Sequence, residues 1–351
     1  MPRAPRRRRT PRRPKTNRVG LQQRDYRGKP STLCKGCGHD AISSQLIRAF
    51  FESDVRPHRV AKLSGIGCSS KTPAYFLNQS HGFNAVHGRM PSVATGAVLA
   101  NRDLIAVGVS GDGDTASIGM GQFVHLVRRN LPLIYIVENN GVYGLTKGQF
   151  SATADENARL RSGEVNRLPN IDLCGMAVEL GATYVARSFA GDPKQLVALL
   201  RGALAHNGTA VIDILSPCVT FNNHPGSTKS YTWGKTNEEP IQLLDFVPAV
   251  DQIEVDYEEG TTQDIQLHDG SWVRLRKLGR DYDPTDRHDA ENLLLEAQES
   301  GLFLTGLIYL NTKKRTLLDT LELCDEPLAL LPEHELRPRS EVLDEVFGSY
   351  R

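Results

Sequence analysis

The sequence has no long hydrophobic run. Its longest apolar stretch, residues 131–137, falls far short of the roughly 20 residues that a helix needs to cross a bilayer, which argues against a membrane helix. Cysteine is sparse, with six in 351 residues, and the start lacks the apolar segment of a secretory signal, so a disulfide framework is not expected. Acidic side chains are missing altogether from residues 1–20, which carry nine Lys and Arg. The remainder holds 33 basic and 41 acidic residues, so the overall charge of +1 conceals a basic tail on an acidic body. That tail contains Pro2, Pro5, Pro11 and Pro14 and almost nothing apolar to bury, and residues 1–22 are expected to be disordered. Arg-rich, acid-poor starts occur in transit peptides, but the prolines argue against the amphipathic helix those form. Nothing else in the sequence supports nucleic-acid contact, so nucleic acid is not an expected partner. The expectation is a soluble, cytoplasmic protein without membrane association.

What is present is an alternation of helical and strand patterns. Ile42, Leu46, Ile47, Phe50 and Phe51 recur at helical spacing from Gly38 onward. A short strand at 60–63 runs into Gly65-Ile66-Gly67-Cys68, and the small-residue stretch 90–100 suits a tightly packed helix. Residues 104–109 form a continuous apolar run, the mark of a strand covered on both faces. It ends in Gly111-Asp112-Gly113-Asp114, after which a helix through Ile118, Phe123, Leu126 and Val127 leads to a second apolar strand, 133–137, and Glu138-Asn139-Asn140. This is a β-α-β unit with parallel strands. Two further αβ units, 171–186 and 193–215, complete a doubly wound, mostly parallel α/β domain over 23–235. Beyond Pro240 the pattern changes to short alternating segments, a helix near 290–300 and a strand at 303–309. Residues 236–351 are expected to be a C-terminal extension or subunit-contact arm.

Functional sites in open α/β sheets lie at the carboxyl ends of strands, where both Gly-Asp-Gly-Asp and Glu-Asn-Asn fall. One loop offers carboxylates and the other carboxamides, oxygen donors suited to Mg²⁺ bridging a phosphate ligand. A helix beginning after Asp114 would add unpaired N–H groups. Either motif alone reads equally as a turn or a cap. Paired, with 25 residues between Gly113 and Asn139 and each ending an apolar strand, they point to a metal–diphosphate site. Cys34-Lys35-Gly36-Cys37 by itself fits zinc, a cluster or a redox pair.

The paired motifs resemble those of the thiamine-diphosphate enzyme superfamily. The likeness implies that Asp112, Asn140 and the Val142 carbonyl coordinate Mg²⁺ and that Gly113 and Asp114 contact the diphosphate. Five stretches together narrow it: Cys-Lys-Gly-Cys-Gly-His (34–39), Ile-Gly-Cys-Ser-Ser-Lys (66–71), His-Gly-Arg (87–89), Gly-Asp-Gly-Asp (111–114) and Asn-Asn-Gly-Val-Tyr-Gly-Leu-Thr-Lys-Gly-Gln (139–149). In this order, over residues 30 to about 235, the chain resembles the beta subunits of 2-oxoacid:ferredoxin oxidoreductases. The resemblance implies that Cys34, Cys37, Cys68 and Cys218 hold a [4Fe–4S] cluster, a four-thiolate complement. It also implies that Ile66, Gly67, Cys68, Ser69, His87, Gly144 and Leu145 line the thiamine diphosphate pocket. Cys174, in an apolar helix, and Cys324 are expected to be structural.

Thiamine enzymes also need a pyrimidine-binding domain, and no second α/β domain of that kind is legible in 351 residues. The resemblance therefore implies an alpha subunit that completes the site, in an αβ or (αβ)₂ assembly, with ferredoxin as electron acceptor and coenzyme A as acyl acceptor. Tyr143-Gly144-Leu145-Thr146-Lys147 looks like the form found in 2-oxoglutarate enzymes, and Lys147 with Lys71 could pair with a distal carboxylate. Two rivals remain at this stage. A cluster-free thiamine enzyme, such as a decarboxylase or acetolactate-synthase relative, leaves the four cysteines idle. A zinc-stabilised nucleic-acid-binding protein leaves the paired strand-end motifs unexplained.

Overall fold

The computed structural model describes residues 16–160, 163–220, 253–266, 272–279 and 281–351. Among the described residues eleven strands form: β1 (Val60–Ser64), β2 (His81–Asn84), β3 (Ile105–Gly111), β4 (Leu133–Asn139), β5 (Val142–Tyr143), β6 (Gln149–Phe150), β7 (Tyr184–Phe189), β8 (Thr209–Leu215), β9 (Thr262–Gln266), β10 (Trp272–Lys277) and β11 (Phe303–Leu310). The principal helices are α1 (Gly38–Glu52), α2 (Met90–Ala100), α3 (Met120–Arg129), α4 (Leu173–Glu179), α5 (Pro193–Ala205) and α6 (Arg287–Glu299).

Nine strands make one sheet in the order β2-β1-β3-β4-β8-β7-β11-β10-β9, and β5 and β6 form a separate antiparallel hairpin. From β2 to β7 every pairing is parallel. The physical cause shows in β4, all seven residues of which are buried. Leu133, Tyr135 and Val137 pack into the core that α2, α3, α4 and α6 cover. Ile134 and Ile136 pack into the other, against α1 and α5. Each large side chain buried contributes about 1.5–3 kcal/mol, so a strand apolar on both sides is stable only with helices on both faces.

The C-terminal third does not stand apart: β11 pairs antiparallel with β7, and β10 and β9 follow it outward. The boundary expected at 235/236 lies outside the described residues. Residues 16–22, which were expected to be disordered, are held in place. Thr16 bridges Gln22, and Asn17 Nδ2 donates to Tyr26 Oη (2.7 Å) and the Phe51 carbonyl (3.1 Å), which fastens residues 16–22 to α1; residues 1–15 lie outside the described residues. Among the described residues no helix is long and apolar enough to cross a membrane. Strand β2 escapes a hydrophobicity reading because all four of its residues are exposed.

Candidate active site

Five strand ends converge on one edge of the sheet. Residues 66–69 follow β1, His87 follows β2, residues 112–114 follow β3, Asn140 and Val142 follow β4, and Cys218 follows β8. One cavity gathers Ile66, Gly67, Cys68 and Ser69 with Asp112, Gly113 and Asp114, then Asn140, Val142, Gly144 and Leu145. The paired motifs therefore meet in space as well as in the sequence pattern.

Asp112 is 1% exposed. Its Oδ1 accepts from Asn140 N at 3.2 Å, and its Oδ2 accepts from Thr153 Oγ1 at 2.8 Å and from Ser151 Oγ. The Asn140 side-chain oxygen accepts from Val142 N at 3.1 Å, holding the turn that carries the Val142 carbonyl. A carboxylate, a carboxamide and a carbonyl on one cavity wall are hard oxygen donors, and they fit a magnesium ion.

The segment after Asp112 is helical, as expected, but it opens with a π turn before the α-helix. Residues Gly113–Ile118 form a wide turn with Gly119 N bonded to the Asp114 carbonyl (2.9 Å), and α3 starts at Met120. The Asp114 carboxylate is engaged by protein donors: Ser110 Oγ (2.7 Å), Gly88 N (2.8 Å), Ile66 N (3.3 Å) and His87 Nδ1. It lines the cavity while fastening the loops after β1 and β2 together. His87 is not among the residues around this cavity, but its Nδ1 meets the Asp114 carboxylate and its ring is edge-on to Tyr143 at 6.4 Å.

The cysteines assemble from three places. A β-carbon on Gly38 would fall 2.5 Å from Ser216 Oγ, so glycine lets the start of α1 press against the end of β8, and Gly38 N bonds to the Pro217 carbonyl. This brings Cys37 toward Cys218, and the turn after β1 adds Cys68. Burial pushes the Cys37 and Cys68 thiols up, and Cys218 and Cys34 push both further. Cys218 and Cys34 thus lie within range of the charge of both Cys37 and Cys68. Cys34 is exposed, Cys37 buried, and none of the six cysteines is in a disulfide. Among the described residues no three His, Cys, Asp or Glu side chains converge closely enough for a single metal ion. Cys174 is buried. Cys324 is not a core residue but exposed, its thiol directed at the Glu326 carbonyl.

Lys71 and Lys147 are both exposed and neither lines the cavity. Lys147 sits in the left-handed region, φ 75°, at the bend between β5 and β6.

Sequence reasoning assigned no role to His39 or Glu138, which also line the cavity. His39 Nδ1 lies 2.5 Å from Ser216 Oγ and 3.8 Å from Glu138. Thr72 Oγ1 meets both Glu138 oxygens, at 2.9 and 3.0 Å. Burial lowers the His39 pKa to about 4. Burial raises the Glu138 carboxyl well above the usual range, against the Thr72 hydroxyl, which lowers it. Burial thus disfavours the charged form of both groups, and neutral His39 makes the 3.8 Å approach something other than an ion pair. The available signal was an acid ending a wholly apolar strand.

A parallel sheet whose strand ends surround one cavity with these oxygen donors defines a thiamine-diphosphate-binding domain. Residues 65–214 match the family model of the thiamine pyrophosphate enzyme C-terminal TPP-binding domain. A 2-oxoacid:ferredoxin oxidoreductase subunit beta from Saccharolobus solfataricus is 40% identical over 221 residues, 63% of this chain and 70% of that protein. A 2-oxoglutarate synthase subunit KorB from Methanocaldococcus jannaschii is 38% identical over 193 residues, 55% of this chain and 71% of that one. The solved 2-oxoglutarate:ferredoxin oxidoreductase of Magnetococcus marinus, with 2-oxoglutarate, coenzyme A and succinyl-CoA bound, superposes with a TM-score of 0.70. It is 30% identical, and the match covers 92% of this chain and 95% of that one. The chain belongs to the beta subunits of the 2-oxoacid:ferredoxin oxidoreductases.

Proposed function

We propose that this chain, completed by an alpha subunit carrying the pyrimidine-binding domain, oxidatively decarboxylates 2-oxoglutarate. One 2-oxoglutarate and one coenzyme A give succinyl-CoA and CO₂, and two electrons pass singly to two ferredoxins. The observation that carries this reading is Cys68, which belongs both to the cavity lining and to the four-thiol set. It joins a cofactor pocket to an electron outlet.

In this reading Asp112, Asn140 and the Val142 carbonyl hold Mg²⁺, and Cys34, Cys37, Cys68 and Cys218 hold a [4Fe–4S] cluster. When bound, thiamine diphosphate supplies the electron sink for loss of CO₂, and the cluster supplies one-electron transfer. The chain's own residues bind and orient. Asp114 locks the turn at 66–69 against the turn at 87–88. Burial disfavours the charged forms of His39 and Glu138, so the carboxylates of Asp112 and Asp114 carry the cavity's negative charge. Lys71 and Lys147 pair with the distal carboxylate that distinguishes 2-oxoglutarate from pyruvate. The assembly proposed is αβ or (αβ)₂ in the cytoplasm, where reducing conditions preserve free thiols.

The test is anaerobic co-expression with the alpha subunit, followed by assay of ferredoxin reduction. The expected result is a brown complex with a broad visible band that bleaches on reduction and ferredoxin reduction that depends on both 2-oxoglutarate and coenzyme A. A colourless complex that decarboxylates 2-oxoacids without reducing ferredoxin would establish the cluster-free alternative.

A further inference from the structure

Behind Asp112 lies a continuous set of buried polar groups that reaches the centre of the sheet and ends at a guanidinium. Thr153 Oγ1, on the segment after β6, stands 2.8 Å from Asp112 Oδ2 and 3.1 Å from Asn139 Oδ1. The Asn139 Nδ2 group donates to Asp213 Oδ1 at 3.0 Å. Asp213, on β8, accepts from Arg187 Nε on β7 at 3.2 Å. The other side of the Arg187 guanidinium pairs with Asp172, the residue that caps α4 by accepting from Cys174 N at 2.9 Å. Its face lies over the Phe303 ring of β11, 5.1 Å from the centroid. Asp112, Thr153, Asn139, Asp213 and Arg187 are at most 7% exposed.

The orientation of each group follows from the next. Arg187 can only donate, so it holds the Asp213 carboxylate as an acceptor. That acceptor takes the amide nitrogen of Asn139, which turns the Asn139 oxygen toward Thr153. The one hydroxyl hydrogen of Thr153 is shared between that oxygen and Oδ2 of Asp112, so Asn139 sets how fully Thr153 serves Asp112, and Ser151 Oγ donates to Oδ2 beside it. Oδ1 is left with one longer backbone bond (3.2 Å). The carboxylate plane of Asp112 is thus set by groups three strands away. Partners behind a metal ligand commonly control affinity tenfold to a hundredfold.

We propose that Arg187 is a positioning residue for the cation–diphosphate site, acting through Asp213, Asn139 and Thr153 on Asp112. This rests on the reading of Asp112 as a magnesium ligand. It adds that the affinity of this ligand is set from β7 and β8, and that β11 contributes by seating the guanidinium on Phe303.

The test uses the assembled enzyme and measures thiamine diphosphate binding by calorimetry at a series of Mg²⁺ concentrations, independently of turnover. Thr153→Val should raise the Mg²⁺ concentration for half-maximal binding about tenfold, and Thr153→Ser should restore it to within about threefold. Arg187→Lys, which can serve only one of the two aspartates well, should raise it at least threefold alone and add little in the Thr153→Val background, because both changes act on one chain of contacts. Should Arg187→Lys fail to assemble, Asp213→Asn carries the same comparison with volume preserved. Additive effects, or an Arg187 variant that lowers thermal stability while leaving the Mg²⁺ dependence unchanged, would overturn the proposal. If wild-type binding itself proves independent of Mg²⁺, the reading of Asp112 fails instead, which keeps the two outcomes distinct.

Discussion

The carboxylate of Asp114 occupies the space beside the α-carbon of Gly65: a β-carbon there would lie 1.6 Å from Oδ2. Gly65 ends the run out of β1 and Asp114 follows β3, so two neighbouring strands are interlocked at the point where the cofactor-lining turn begins. The same carboxylate accepts from Ile66 N and Gly88 N, so one side chain registers three loops.

Gly65→Ala is expected to destabilise the chain by about 2–4 kcal/mol, because the carboxylate has no other buried position to take. Asp114→Asn should cost about 1–3 kcal/mol, since its amide nitrogen must face a backbone donor. Thermal denaturation measures both. Faster hydrogen exchange at Ile66 and Gly88 is the local signature, and unchanged exchange there would remove Asp114 from this role.

Cys34, Cys37, Cys68 and Cys218 should behave alike under replacement, and Cys174 and Cys324 should not. Serine at any of the first four is expected to abolish or reshape the broad visible band of the anaerobic complex. Serine at Cys324, which is exposed, should leave the spectrum as it was. A retained wild-type spectrum in Cys218→Ser would mean that the cluster uses another ligand set.

His39 and Glu138 make opposite contributions to pH dependence. The His39 pKa is lowered to about 4 in the folded chain, against about 6.5 unfolded. The unfolded state therefore binds more protons between those values, and stability falls as pH drops through that window, by about 3 kcal/mol for a fully buried group. The Glu138 pKa is raised well above 4.5. Its contribution is complete below that value and is lost as pH rises through the folded pKa. The two offset each other in mild acid. Chemical denaturation of Glu138→Gln between pH 4 and 7 should expose a steeper acid loss than wild type, and His39→Gln a shallower one or a gain. Identical slopes in all three would show that neither group is held neutral.

Asn130 ends α3 in the left-handed region, φ 50°. Its amide nitrogen donates to the carbonyls of Lys314 and Arg315, and its oxygen accepts from Thr183 Oγ1 and Thr209 N. Asn130→Ala loses all four bonds and keeps an unfavourable backbone angle, for an expected loss of about 3–4 kcal/mol. Asn130→Gly relieves the backbone and should be about 1 kcal/mol less damaging. Equal melting temperatures for the two would show that the left-handed angle carries no cost.

Lys147 is exposed, so its replacement should leave stability within about 0.5 kcal/mol of wild type while altering selectivity. Lys147→Ala is expected to lower the ratio of kcat/KM for 2-oxoglutarate over pyruvate about tenfold, the loss of one charge-assisted contact. An unchanged ratio would withdraw the pairing with substrate.

Much of the α/β core was legible because two physical periods mark it. A strand buried on both faces has to be apolar throughout, as 133–137 is, and a covering helix has to repeat at 3.6 residues, as α1 and α5 do. The positions of Asp112 and Asn140 were legible for a related reason: glycine and short polar side chains stand out where an apolar strand stops. The reading failed where no period applies. Strand β2 is polar and held by an edge pairing, the wide turn at Gly113–Ile118 is decided by Gly119 bonding back to Asp114, and the pairing of β11, β10 and β9 onto β7 is set by no local pattern.

By itself, then, the sequence determined which residues stand at strand ends and which thiols are available, since both follow from local pattern. The tertiary structure decided which of them meet. Contacts such as Gly38 against Ser216, Asp114 beside Gly65 and Arg187 behind Asn139 join residues tens to hundreds of positions apart. Sequence spacing carries no distance once the chain crosses a sheet. Burial, which disfavours the charged forms of His39 and Glu138 and ties Asp112 to its supporting hydroxyls, exists only after those crossings are complete.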